Sequence, residues 1–269
     1  MNQTRVRRKV RILAARIAGM THRSPDLALR GADLLAPVAR RFRRVPSAEE
    51  LREILPHISP AGARAIRSQM LRVFVRGEFL AAWLQRRGRA AARGILSSDV
   101  PPALPPAPLI AATFHIGPVH ALGAALEPLP SPLLALLNNN DDDADAFGSE
   151  QTRAARFYEA ATWLRKGGVV LMALDPQNAT RIRVPFFGGT LGLARGAFAL
   201  SRRTGAPIIP VVARWRGTRV DVVVGEPLRG GSGPDLEQAL AAAAAGWLEA
   251  YLRDHPEEIS LRVLDLMES

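Results

Sequence analysis

The sequence predicts an α/β protein, a mixed and mostly parallel sheet covered by helices, with an all-helical extension at its N-terminal end. Three observations carry this. Apolar positions recur at helical spacing through residues 1–100. A segment holding Pro101, Pro102, Pro105, Pro106 and Pro108 then marks a stiff connector where the pattern changes. Beyond it, short apolar runs of strand length alternate with longer amphipathic stretches, the order expected when helices cover a sheet. At 269 residues the chain fits one α/β domain over 109–269 plus a basic helical region over 1–100 better than it fits two separate cores.

Helices are expected near residues 3–20, 26–42 and 47–56. In the first, Val6, Val10, Leu13, Ile17 and Met20 share one face while Arg7, Arg8 and Arg11 point away. That is the pattern of a helix lying in a membrane interface, and equally of a surface helix packed on the domain. A long helix follows, with Ser59 as its N-cap and Pro60 at its first position. Met70, Val73, Phe74, Leu80 and Leu84 give it an apolar stripe, ending near the arginine-rich stretch 86–93. The run 109–114 suits a buried strand, and Pro118 opens the helix after it. A strand at 133–137, a polar loop at 138–145 and a helix at 150–166 come next, the helix stopped by Gly167-Gly168. Strands at 169–174 and 184–187, a helix at 193–203, and an antiparallel strand pair at 208–215 and 219–224 follow. An alanine-rich helix over 235–253 and a short helix after His255-Pro256 close the chain.

Composition narrows the function classes. The 48% hydrophobic and 23% charged content lies in the globular range. With no cysteine, thiolate catalysis, disulfides and cysteine-ligated zinc are excluded. The net charge of +11 is concentrated: residues 1–100 hold 21 Lys+Arg against 7 Asp+Glu, a balance of +14, and the remainder 15 against 18, a balance of −3. A basic first third beside a nearly neutral body fits an anionic partner, either phospholipid headgroups or nucleic acid. No recognisable nucleic-acid module accompanies it and the chain has only 2 tyrosines, so no nucleic-acid partner is expected. No apolar run of spanning length appears, and arginines between positions 5 and 16 interrupt what would be a secretory signal, so any membrane is expected to be met from one side.

His115 is the first residue with chemical promise, because it follows a strand where α/β sheets present reactive groups. Gly188, Gly189 and Gly192 precede a helix containing Arg195 in a spacing that matches neither dinucleotide nor P-loop fingerprints, so they read mainly as a turn. Asp141, Asp142, Asp143 and Asp145 read as a solvated loop, and no metal site is expected. His22, His57 and His255 have no ligand-like spacing among themselves.

The segment Thr113-Phe-His-Ile-Gly-Pro-Val-His120 resembles the histidine box of the glycerolipid acyltransferase superfamily, in which an acidic residue follows the histidine after four residues. Here that place holds His120. Downstream, Leu164-Arg-Lys-Gly-Gly-Val-Val-Leu-Met-Ala-Leu-Asp-Pro-Gln177, Val184-Pro-Phe-Phe-Gly188 and Gly205-Ala-Pro-Ile-Ile-Pro-Val212 resemble the bacterial late lipid A acyltransferase branch, and His255-Pro-Glu-Glu-Ile259 is similar to its C-terminal pattern. These blocks run in the branch's order over about 109–262.

The resemblance implies a glycerolipid-acyltransferase-like sheet and an O-acyltransferase. Such an enzyme moves a fatty acyl group from an acyl carrier protein or coenzyme A thioester to a hydroxyl of a lysophospholipid or lipid A-like glycolipid. No resident cofactor is implied, only the acyl carrier or coenzyme A thioester as co-substrate. Anionic membrane lipids are the implied partners, and the cytoplasmic face of the bacterial inner membrane the implied peripheral location. His115 becomes the general base. His120 offers no negative charge, which leaves three readings: a His115–His120 pair, a carboxylate supplied from elsewhere such as Asp175 or Glu127, or a catalytically impaired lipid-binding or accessory protein on the same fold. Arg181 and Arg183 fall in the loop where the resemblance places acceptor phosphate contacts, with Gly188 and Gly189 beyond them, and Arg153 or Arg156 matches an arginine ahead of the preceding helix. An acyl groove lined by Phe74, Phe114, Phe186 and Phe187 is expected, while Trp83, Trp163, Trp215 and Trp247 read as core or interface.

Overall fold

The computed structural model describes residues 25–39, 46–56, 58–98, 102–136, 150–176, 179–230 and 233–268. The expected interfacial helix at 3–20, His22, His57, the aspartates at 141–145 and Gln177 lie outside these residues.

Helix α1 (Pro25–Ala39) is followed by α2 (Ala48–Ile54) and α3 (Pro60–Arg87). Local chemistry sets their ends. Ser47 and Glu50 form a reciprocal capping box on α2, the Ser47 hydroxyl accepting from the Glu50 amide at 3.0 Å and the Glu50 carboxylate from the Ser47 amide at 2.6 Å. Ser59 caps α3 with Pro60 at its first position, and Gly88, at φ 81°, ends it. A 3₁₀ stretch (Arg89–Ile95) then leads toward the sheet.

Five strands form the main sheet: β1 (Leu109–Thr113), β2 (Leu133–Leu136), β3 (Val169–Ala173), β6 (Ile208–Arg216) and β7 (Arg219–Val224), in the spatial order β2-β3-β1-β6-β7. The first four run parallel and β7 returns antiparallel to β6. This is the α/β, mixed and mostly parallel sheet that the alternating pattern predicts. The short helix α4 (Leu122–Leu126), α5 (Glu150–Arg165), α6 (Gly196–Thr204) and α7 (Leu236–Asp254) connect or cover it.

Alternation along the buried strands divides the core between two faces. Ile110, Ala112, Val170, Ile208 and Val212 face one side, with Phe79 of α3, Phe198 of α6 and Leu248 of α7. Leu109, Ala111, Leu171, Ile209 and Val211 face the other, with Leu80 and Leu84 of α3, Ile95 and Leu122. Helix α3 therefore serves both faces. Among the described residues, the helical region has no core of its own, since Leu29, Leu51 and Met70 share the first cluster. Arg76 ties it further, bonding Asp33 at 2.6 and 2.7 Å, donating to the Gly217 carbonyl and lying over Trp215.

The region after β3 differs from expectation. Strand β4 (Arg181–Phe186) and β5 (Gly189–Ala194) form an antiparallel hairpin, joined on its far edge by β8 (Met267–Glu268), and the helix expected at 193–203 begins at Gly196. The Phe187-Gly188 turn has positive φ at both residues, 47° and 79°, the geometry of a tight two-residue hairpin loop. Aromatic residues seldom adopt that conformation. Here Glu249 accepts the Phe187 amide at 2.9 Å and Arg253 lies over the Phe187 ring. The expected helix after His255-Pro256 is a single 3₁₀ turn, followed by α8 (Leu261–Asp265). Among the described residues, no helix is long and apolar enough to cross a membrane.

Candidate active site

Strands β1 and β3 are adjacent and parallel, with Thr113 level with Ala173, and the Leu174 amide extends the ladder by donating to the Thr113 carbonyl at 2.8 Å. Two residues beyond the paired ends, His115 and Asp175 therefore arrive side by side at the carboxyl edge of the sheet, where α/β folds present ligands and chemistry. The His115 Nδ1 lies 2.7 Å from the Asp175 Oδ1. The His115 backbone amide also donates to the same carboxylate, at 2.9 and 3.1 Å.

Asp175 is 1% exposed and the His115 side chain 13%. Burial pushes the Asp175 carboxyl up. The His115 charge interaction, its two kinds of hydrogen bond and the more distant Arg262 outweigh this and hold it below the usual aspartate range. A carboxylate on Nδ1 assigns the proton there and leaves the Nε2 lone pair as the acceptor. That Nε2 is buried and has no hydrogen-bond partner among the described residues. A polar atom left open inside a protein is uncommon and marks a place where a ligand group can complete the bonding. Chemically, the arrangement is an oriented imidazole base.

The readings left open by His120 can now be compared. His120 sits in a 3₁₀ turn (Val119–Ala121), and no hydrogen bond joins it to the His115 Nε2, while Nδ1 is engaged by Asp175. Glu127 is also elsewhere, bonded to Arg93 at 2.9 Å. The carboxylate on His115 is Asp175, one of the two alternatives named from sequence.

The remaining candidates lie on other elements of the fold. Arg181 and Arg183 lie on β4 and not in a loop, because the alternation of buried Val184 and Phe186 with exposed neighbours continues back to Arg181. Gly189 and Gly192 belong to β5, and Gly188 forms the hairpin turn, so no glycine-rich anion turn precedes α6. Gly192 has a packing reason: a Cβ there would stand 2.8 Å from the Arg181 Cδ. Arg153 lies on α5, and Arg156 pairs with Glu159 at the surface at 2.9 Å. Phe114 and Phe186 are fully buried in the core, so the expected acyl groove is not lined by them, while Phe74 and Phe187 lie at the core's margin. All four tryptophans pack on the core.

Sequence reading passed over the residues that brace the loop after His115. Gly117 has φ 53°, and a Cβ there would lie 2.3 Å from the Ala213 carbonyl oxygen of β6 and 3.0 Å from the Glu258 Oε2. Only glycine lets the loop approach so closely. Glu258 is buried and accepts the Tyr251 hydroxyl at 2.8 Å. Burial pushes its pKa up to about 7; the Glu257 charge adds to the rise, while Tyr251, Arg214 and the Trp215 amide oppose it. Arg214 in turn donates to the His255 Nε2 at 2.8 Å. A Pro-Glu-Glu triplet after an amphipathic helix carries no period that marks its last residue as buried, so only the quoted His-Pro-Glu-Glu resemblance drew notice to this stretch.

No protein-family model matches this chain, and no curated protein matches it. The class defined by fold and site is an α/β chain with a buried His–Asp dyad at the carboxyl edge of a mostly parallel sheet.

Proposed function

We propose that this chain is an O-acyltransferase with His115 as general base and Asp175 as the carboxylate that orients it. The observation that carries the reading is the 2.7 Å His115 Nδ1–Asp175 contact together with an unpartnered Nε2. In the proposed reaction, Nε2 takes the proton of an acceptor hydroxyl as its oxygen attacks the carbonyl carbon of an acyl thioester. The C–S bond then breaks, and the imidazolium returns its proton to the departing thiolate. The products are an ester and a free thiol. Asp175 holds Nδ1–H throughout and stabilises the imidazolium between the two proton transfers. No enzyme-bound acyl group is required, in keeping with the absence of cysteine.

The resemblance supplies the substrate class: an acyl carrier protein or coenzyme A thioester as donor, and a lysophospholipid or lipid A-like glycolipid as acceptor. It also supplies the proposed location, peripheral on the cytoplasmic face of a bacterial inner membrane, with anionic lipids as partners. The basic balance of residues 1–100 supports that placement through attraction to anionic headgroups.

A second reading is favoured by the depth of Nε2, which an acceptor hydroxyl reaches only after neighbouring groups shift. On that reading the protein is a catalytically impaired lipid-binding or accessory protein on the same fold. The deciding experiment measures acyl transfer from radiolabelled acyl-coenzyme A and acyl carrier protein into a total bacterial lipid extract, with wild type and His115→Ala. Label entering a lipid with wild type alone supports the transferase. Equal inactivity with both donors favours the accessory protein.

A further inference from the structure

The β6–β7 hairpin tip and the 3₁₀ stretch before β1 border an open groove of about 540 Å³ lined by Arg93, Gly94, Leu96, Ser97, Arg216 and Arg219. Its walls are stitched together. The Ser97 amide donates to the Val220 carbonyl at 2.9 Å, Leu96 bridges Val220, and Arg219 donates to the Gly94 carbonyl at 2.6 Å. Two segments more than a hundred positions apart are thus held in one geometry with three guanidiniums around the opening.

The charge there is incompletely answered. Among the described residues, two carboxylates stand near these arginines. Glu127 pairs with Arg93 at 2.9 Å across an exposed contact. Asp221 stands 3.7 Å from Arg214 and 3.9 Å from Arg216, so it is shared and beyond hydrogen-bonding distance of both. Arg219 spends one donor on a carbonyl, which removes none of its charge. Among the described residues, the three arginines that line the groove face two carboxylates, one of them shared with Arg214, and no acidic side chain lines the groove itself.

We infer that this groove is a binding site for a phosphate ester. Guanidinium forks supplied by two chain segments suit a tetrahedral dianion, which a fork can grip with two parallel N–H donors. The volume exceeds a bare phosphate and falls within the range of sites for small organic ligands, so the phosphate is expected to carry an organic group. Register places the groove usefully. Ile110 is level with Ile208, which puts His115 level with Ala213, and Arg216 lies three residues further along β6, about 10 Å at the rise of a strand. The groove thus opens beyond the same sheet edge that carries the dyad. Its occupant is the headgroup of an anionic lipid or a soluble phosphate ester, and the binding chemistry is shared. The inference stands apart from acyl transfer, because binding is read without turnover.

The test uses the full chain at low salt. Titration calorimetry with inorganic pyrophosphate and with coenzyme A samples the soluble source. Co-sedimentation with phosphatidylcholine vesicles containing phosphatidic acid samples the lipid source. The variants are Arg216→Ala, which is highly exposed and loses only the long Asp221 contact, and Arg93→Ala. Arg165→Ala at the end of α5 removes one equal charge elsewhere. Each groove variant is expected to weaken binding about tenfold, and Arg165→Ala less than twofold. Loss with the soluble probes assigns a soluble ester, and loss confined to vesicles assigns a lipid headgroup. If no probe binds, or if the groove variants bind as Arg165→Ala does, the site does not exist.

Discussion

Replacing Asp175 by Asn tests the proposed chemistry at its most quantitative point. The carboxylate stands 2.7 Å from the ring that becomes an imidazolium as the acceptor loses its proton. At that separation an effective dielectric of about 20 gives about 6 kcal/mol of attraction, present when the ring is charged and absent when it is neutral. Since each 1.36 kcal/mol is tenfold in rate, losing all of it would cost about 10⁴-fold. The asparagine carbonyl keeps part through its dipole, so the expected fall in transfer is about 10³- to 10⁴-fold. Asn fills the same space, and near-ultraviolet circular dichroism is expected to show intact packing. The assay is radiolabelled acyl transfer into lipid with a saturating donor. A folded Asp175→Asn protein that retains more than a tenth of the wild-type rate would refute the orienting role, however well His115→Ala behaves.

Other outcomes follow from the same geometry. His120→Ala is expected to leave transfer within about threefold, and His120→Glu to bring no gain, because Nδ1 is already occupied; a gain above tenfold with Glu would reassign the carboxylate. Gly117→Ala forces a Cβ onto the Ala213 carbonyl at a positive φ, so a loss of about 3 kcal/mol or more in urea unfolding is expected, and a loss below 1 kcal/mol would show that the loop yields. Glu258 has its folded pKa raised from its ordinary 4.5 to about 7, so its stabilising contribution is full below about pH 4.5 and is lost as pH rises through 7. Glu258→Gln is expected to flatten the stability profile over that window and to be more stable by about 3 kcal/mol above it, as read from denaturant midpoints. Asp175 acts oppositely, its contribution being present above the ordinary aspartate range and lost as pH falls through its lowered folded value. Glu237 binds Arg195 and the Arg202 Nε, the latter at 2.9 Å, but both arginines are half exposed and regain water; Glu237→Gln is expected to cost only about 1 kcal/mol by thermal denaturation.

The strands that were legible in the sequence are those bounded by strong punctuation. Apolar runs after Pro108, after Gly167-Gly168 and after Pro207 became β1, β3 and β6 because a central parallel strand is apolar on both faces. Of the β4–β5 hairpin, only the end of β4 was legible, as the strand expected at 184–187. Its turn uses Phe187-Gly188 in place of the Asn-Gly or Asp-Gly that signals such loops, and Leu193, Ala197 and Leu200 mimic helical spacing across a strand boundary. At the site, both His115 and Asp175 were nameable, but their meeting depends on β3 lying next to β1. Periodicity says which residues are strands and not which strands are neighbours. The arginine groove was hidden for the same reason, since Arg93 and Arg219 are joined only by tertiary pairing.

The equal offset of His115 and Asp175 from their paired strand ends imposes a counting rule on this chain's descendants. An insertion between α4 and β2 lengthens a crossover and leaves the dyad in place. One residue added between 113 and 115, or between 173 and 175, breaks the match while every ladder bond survives. Length variation among related sequences should therefore spare two short windows sixty positions apart. Where only one window has changed length, the second should have changed with it, or the histidine should be free to vary.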